Sequence, residues 1–385
     1  MLGPVVSLNT VWFSLIGLLW AGYFVLEGFD FGVAILAPIL STDDVDRRLC
    51  LNAIGPFWDG NEVWLIVAGG ATFAAFPAWY ATMFSAFYLA LFLILVALIV
   101  RGVAFEFRAK RGAASWRRTW DTALFLGSLV PALLWGVAFV DLVRGTPVAS
   151  GPVFVGGFSS LVQPVALLGG LASLSLFLAQ GAVFLSLKTT GPLRRRARRA
   201  GGVAAGASVP ILLGTLVWVG ASMDGSARPG ALPGGVPALL ATLALFALGA
   251  TVLALVKERE GWAFLASTFA IAAASAAVFT ALFPRVMVSS LGAAESLTIW
   301  NAASAHETLF VMTIVAAIFT PFVLLYQGWS YWVFRQRLTR PPGESWAGGG
   351  SGRPVAPSGS LAVSGVAGDR TGGPSPSRGS RQAPR

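Results

Sequence analysis

Apolar stretches recur along the whole chain, separated by short connections that carry most of the basic residues. A bilayer span needs about 20 mostly apolar residues. By that criterion nine spans are predicted, at roughly 10–40, 56–76, 79–107, 117–142, 162–187, 201–222, 236–256, 261–283 and 306–334. The connections alternate in charge. Segments 41–57, 108–118, 188–199, 257–260 and 335–340 hold 2, 5, 6, 2 and 3 Lys or Arg, whereas the opposite connections hold only Arg144, Arg228 and Arg285. The positive-inside rule then predicts an N-terminus outside and a C-terminus inside, in agreement with an odd number of spans. The fold class expected is an all-α integral membrane protein, with nine helices arranged as two four-helix bundles plus one extra helix.

From Pro341 the chain is Gly, Ser, Pro and Arg with almost no large apolar residue. Such a segment buries too little surface to fold, so 1–340 is read as the membrane domain and 341–385 as a disordered cytoplasmic tail. The first ten residues carry no basic n-region, and the first apolar stretch exceeds the length of a signal h-region. It is expected to stay in the membrane.

Composition agrees: 56% of the 385 residues are hydrophobic and 11% charged, against about 25% charged in soluble domains. The net charge of +10 resides in the connections, so it reads as a topology signal rather than as a nucleic-acid footprint. A single cysteine, Cys50, excludes an internal disulfide, a thiolate iron–sulfur cluster and a cysteine zinc site. A single histidine, His306, excludes a bis-histidine haem held by this chain. No catalytic or metal-binding residue is therefore assigned, and no cofactor is expected on this chain alone.

Embedded charge is confined to the first half. Glu27 and Asp30 fall on the first span, Asp59 and Glu62 at the start of the second, Arg101 and Glu106 near the end of the third, and Asp121 opens the fourth. A carboxylate in hydrocarbon costs several kcal/mol, roughly 3 on insertion scales, so these residues are functional candidates. Glu27/Asp30 and Asp59/Glu62 are each spaced i,i+3 and share a helix face. Two close carboxylates in a low dielectric do not both ionise easily, which suits a proton relay, with Arg101 as the charge partner. Gly28 and Gly32 make a GxxxG that lets another helix approach beside Asp30. The competing structural readings are an N-cap for Asp59, and snorkelling at the boundary for Glu106 and Asp121. Trp12, Trp58, Trp64, Trp79, Trp329 and Trp332 lie near span ends as an interfacial belt, Trp64 being set apart by its place in the Asp59 motif. His306 at the start of the last span reads as solvated.

Several runs resemble one family, the second subunit of cytochrome bd-type quinol oxidases. They are Glu27 to Val33 (EGFDFGV), Asn52 to Trp64 (NAIGPFWDGNEVW), Ala68 to Ala71 with Phe76-Pro77, Arg101 to Arg108 (RGVAFEFR), Phe283-Pro284, and Ser296 to Ser304 (SLTIWNAAS). The resemblance implies a bacterial plasma-membrane heterodimer whose larger subunit I carries haems b and d and the quinol site. The complex would oxidise quinol and reduce oxygen to water, with small accessory subunits in some members. This chain would be the haem-free partner, with a cytoplasmic proton route through the acids matching Asp30 and Asp59, an oxygen access path or interface near Trp64, and in some members a quinone or lipid between its helices. The tail, the loop from Gly145 to Phe158 and His306 fall outside the resemblance.

Two other readings compete. A proton-coupled secondary transporter also carries intramembrane acids, yet the second half lacks substrate-binding polar groups and no pair of broken helices appears in two halves. A purely structural membrane partner would have no proton role.

Overall fold

Ser7 opens the first helix by accepting a hydrogen bond from the Thr10 N–H, which satisfies one of the free donors of the first turn. The computed structural model describes residues 7–151, 153–222 and 235–341. The segment read as a disordered tail beyond residue 341, and Arg228, lie outside these described residues. Among the described residues eleven helices follow in order: α1 (Leu8–Leu40), α2 (Asp44–Ile54), α3 (Trp58–Ala75), α4 (Pro77–Ala86), α5 (Tyr88–Phe107), α6 (Ala114–Arg144), α7 (Pro164–Lys188), α8 (Gly191–Ser222), α9 (Gly235–Val256), α10 (Glu260–Leu282) and α11 (His306–Val333). Two short hairpins, β1 (Val148–Ala149) with β2 (Val153–Phe154) and β3 (Arg285–Met287) with β4 (Leu297–Thr298), are antiparallel.

Eight of these helices are long and apolar enough to cross a membrane: α1, α5 to α10, and α11. The second expected span is present as helix α3, but Asp59, Asn61 and Glu62 in its opening turns lower its mean hydropathy, and it is not among the eight. The boundary expected between the second and third spans is found at Phe76-Pro77. Pro77 occupies the first position of α4 and Phe76 before it leaves the helical region at φ −135°, ψ 69°, as expected where proline removes a donor and restricts the preceding residue. The third expected span is itself divided at Phe87, which separates α4 from α5. Helix α8 begins at Gly191 and takes the whole 194–199 arginine run into its first turns.

Helix α1 is the centre of the domain, packed against α3, α6, α7 and α10. Of its most apolar stretch 78% is buried, against 6% for α11. Lipid tails are as apolar as leucine, so helix association in a bilayer depends on close packing, and glycines set the seams. A Cβ on Gly32 would lie 2.0 Å from the Phe177 carbonyl oxygen, and one on Gly181 would lie 2.5 Å from the Gly32 carbonyl carbon. Helices α1 and α7 therefore touch backbone to backbone. Gly136 and Gly169 do the same for α6 and α7, a Cβ on Gly136 falling 2.2 Å from the Gly169 oxygen. Aromatic rings fill the space beside this seam, with Trp20 and Trp135 at 4.9 Å and Phe24 and Phe139 at 5.2 Å. Trp12 and Trp79, expected in an interfacial belt, are 4% and 1% exposed, and the Trp12 indole N–H donates to the Leu309 carbonyl.

The SLTIWNAAS run is a structural turn. The Asn301 Oδ1 accepts from the Thr298 N–H at 2.7 Å. The Ser304 hydroxyl and N–H donate to the Ala74 and Ala75 carbonyls at 2.6 and 2.9 Å, satisfying acceptors that the end of α3 leaves free. At the other end, arginine–aspartate pairs form a network that ties α2 and its approach to distant segments. Arg108 reaches Asp121 at 2.5 Å and Asp44 at 2.6 Å, Arg47 reaches Asp121 at 2.8 Å, Arg340 reaches Asp43 at 2.6 Å, and Arg196 pairs with Asp46. The basic connections read as topology signals thus also tie helices together.

Candidate functional site

The i,i+3 spacing places Glu27 and Asp30 one turn apart on the central helix, and both are fully buried. Arg101 from α5 is equally buried, and its Nη1 pairs with Glu27 Oε1. The same nitrogen lies 3.7 Å from Glu62 Oε2 on α3. The guanidinium also sits over Phe31 at 4.9 Å and Phe105 at 5.7 Å from the ring centres, where the ring faces favour a cation. One cation thus faces acids from two helices.

Asp30 is joined to the cluster by a different route. Its Oδ2 accepts from the Asn61 Nδ2 at 2.7 Å, while the same amide donates to the Leu26 carbonyl. The Asn61 oxygen accepts from Gln327 at 3.0 Å and from the Tyr331 hydroxyl at 2.9 Å. Asn61, itself fully buried, therefore links α1, α3 and α11. Glu27 Oε2, Asp30 Oδ1, Glu62 Oε2 and two Arg101 nitrogens make no hydrogen bond among the described residues. Three carboxyls against one guanidinium leave more acid than the cation neutralises. Buried uncompensated charge is costly, so protons are the natural counter-charge.

The other candidate acids stand apart from this cluster. Asp59, one turn before Glu62, is exposed, and Glu106 is exposed near the end of α5. Asp121 belongs to the ionic belt with Arg47 and Arg108. Trp64 is half-buried, and its ring lies over Gly22 of α1, where a Cβ would come within 2.7 Å. Gly28 faces the Phe177 ring and the Gln180 side chain on α7, and Gly32 faces the α7 backbone. His306 is exposed at the first position of α11. Among the described residues no group of three or more His, Cys, Asp or Glu side chains could hold a metal ion.

Sequence reasoning passed over four residues, three in this cluster and one apart from it. Asn61 stood inside a motif whose acids drew the attention. Gln327 and Tyr331 form an i,i+4 polar pair in an otherwise apolar span, a signal that helix spacing alone could have supplied. Asp141 on α6 is fully buried and pairs with Arg144 at 3.1 Å.

Comparison with known proteins agrees with the motifs. The sequence model described as cytochrome bd terminal oxidase subunit II matches residues 8–334. The chain is 40% identical over 333 residues to cytochrome bd ubiquinol oxidase subunit 2 of Bacillus subtilis (strain 168), covering 86% of this chain and 97% of that one. It is 37% identical over 366 residues to cytochrome bd-I ubiquinol oxidase subunit 2 of Escherichia coli (strain K12), covering 86% and 96%. Among solved structures, the fold is similar to a chain of the bd oxidase from Geobacillus thermodenitrificans, with TM-score 0.70 and 19% identity over 85% of this chain and 97% of that one.

Proposed function

Because the chain belongs to the cytochrome bd terminal oxidase subunit II family, we propose that it carries protons to the oxygen-reducing site of a quinol oxidase complex. It is a multi-pass protein of the bacterial plasma membrane. In this reading a larger subunit I holds haems b and d, oxidises quinol and reduces oxygen to water, while this chain binds no haem and supports its partner. The N-terminus lies outside and α3 is the ninth span, so that the basic ends of α5, α6 and α8 face the cytoplasm.

The observation that carries the proposal is the buried cluster of Glu27, Asp30 and Glu62 around Arg101 and Asn61. Asp59 and Glu106, exposed at the start of α3 and the end of α5, are the entry from water. Protons pass from there to Glu62, then to Glu27 and Asp30, while Arg101 holds a fixed positive charge among them. Trp64 lines the face beside this route.

The test is quinol:oxygen turnover in Asp30→Asn and Asp59→Asn complexes that assemble with a full haem spectrum. Loss of turnover with intact haem supports the relay. Unchanged turnover in both variants refutes it and leaves a structural partner.

A further inference from the structure

Helices α9 and α10 run side by side and are joined by the short turn Lys257-Glu258-Arg259. Between them an open groove of about 580 Å³ runs up to this turn. Its floor is small and apolar, formed by Ala247, Ala250, Ala254 and Ala266, with Phe246 and Phe269 as walls. Lys257 and Arg259 line its end.

The four charges in this run are sorted by sign. Glu258 has a positive φ of 58°, which few non-glycine residues adopt. Its carboxylate pairs with Arg198 of α8 at 2.8 Å. Glu260 pairs with Arg194 of α8 at 2.7 Å. Both acids are thus committed to α8, while both bases are exposed at the groove and make no ion pair among the described residues. An apolar channel between two spans that ends in two unneutralised cations matches one kind of molecule, in which an anionic head is continuous with a hydrocarbon chain.

We propose that the α9–α10 groove binds an anionic phospholipid, its phosphodiester headgroup between Lys257 and Arg259 and an acyl chain along the alanine floor. A zwitterionic lipid of the same chains gains the apolar contact but brings its own cation to the two bases. Trp262, exposed on the rim, lies beside the bound chain and reports on it.

The assembled oxidase complex in detergent is titrated with phosphatidylglycerol or phosphatidylcholine carrying brominated acyl chains, and quenching of Trp262 is read as the difference between the parent complex and its Trp262→Phe variant. Phosphatidylglycerol is expected to quench this component at about thirty-fold lower concentration, the effect of two basic residues at a lipid surface. Lys257→Gln/Arg259→Gln is expected to abolish the preference. Arg195→Gln/Arg199→Gln, which removes the same charge from exposed positions of α8, is expected to keep it. Equal quenching by the two lipids, a preference that survives Lys257→Gln/Arg259→Gln, or an equal loss in the α8 variant would overturn the assignment.

Discussion

Arg101 and Glu27 meet as an ion pair in which neither side chain has any exposed surface. Removing one partner of a buried pair leaves the other charge uncompensated, which costs about 3–5 kcal/mol. Arg101→Gln is therefore expected to lower the melting temperature of the complex strongly, and Glu27→Gln/Arg101→Gln to recover a large part of the loss. A double-mutant cycle on thermal unfolding measures this coupling. Additive single losses would mean that the two side chains do not act as a pair.

Asp30 and Asn61 differ in what they hold. The aspartate has one bonded oxygen, whereas the amide joins Asp30 to Gln327 and Tyr331. Asn61→Leu leaves these polar groups unsatisfied at about 1–3 kcal/mol, and turnover limited by proton delivery is expected to fall about tenfold. Tyr331→Phe removes only one of two donors to the Asn61 oxygen and is expected to act more weakly. Steady-state oxygen consumption at equal haem content separates the two, and equal effects would argue against Asn61 as the junction.

At Gly32 the Phe177 carbonyl stands where a side chain would begin. Gly32→Ala must push α1 and α7 apart, an overpacking that costs about 1–3 kcal/mol. Gly202 in α8 has nothing within 4 Å of an added Cβ, and Gly202→Ala is expected to be neutral or to stabilise by about 1 kcal/mol through helix propensity. The yield of assembled complex and its melting temperature discriminate the sites. A tolerated Gly32→Ala would contradict the backbone contact.

Much of this was legible in the sequence because hydrocarbon makes polar residues conspicuous. The spans followed from apolar length, and Glu27, Asp30, Glu62 and Arg101 stood out by their cost. Rotation about each helix axis was not legible, since it is set by packing. Nothing in the i,i+3 spacing of Asp59 and Glu62 says that one is exposed while the other reaches Arg101. The break at Phe76-Pro77 was written in the proline and fell between two expected spans, whereas the one at Phe87 lies in an apolar run with no Gly or Pro to mark it. Asn61 was hidden by being neutral, although its four hydrogen bonds make it the most connected side chain of the cluster.

Cys50 on α2 is fully buried, and burial pushes its thiol up to about 12, partly offset by its contact with Ser41. The thiolate is the reactive form, so the folded complex is expected to resist maleimide at pH 7 and 8 alike and to label fully once denatured. Mass spectrometry of the labelled chain checks this. Rapid labelling in the native complex would show that α2 opens on the reaction timescale.

The segment after α11 is held to α2 and α7 by a small set of polar contacts. Arg340 pairs with Asp43 at 2.6 Å, the Leu338 N–H donates to the Lys188 carbonyl at 2.7 Å, and the Lys188 ammonium donates to the Gln336 carbonyl at 3.0 Å. Burial raises the Asp43 carboxyl, but the Asp46 N–H and Arg340 outweigh it and hold Asp43 below its ordinary range. A lowered folded-state value means that this contact stabilises fully above the unfolded value of about 3.9. The contribution is lost as pH falls through the lower folded value. At neutral pH, Asp43→Asn is therefore expected to speed hydrogen exchange at the Leu338 amide about two- to fivefold, the scale of a part-exposed ion pair. As pH falls below the ordinary aspartate range, the ratio of variant to parent exchange is expected to approach one, because the parent loses the same charge. A ratio that stays constant into acid would show that Asp43 holds this segment by hydrogen bonding without its charge, and a ratio near one at neutral pH would show that Asp43 does not hold it at all.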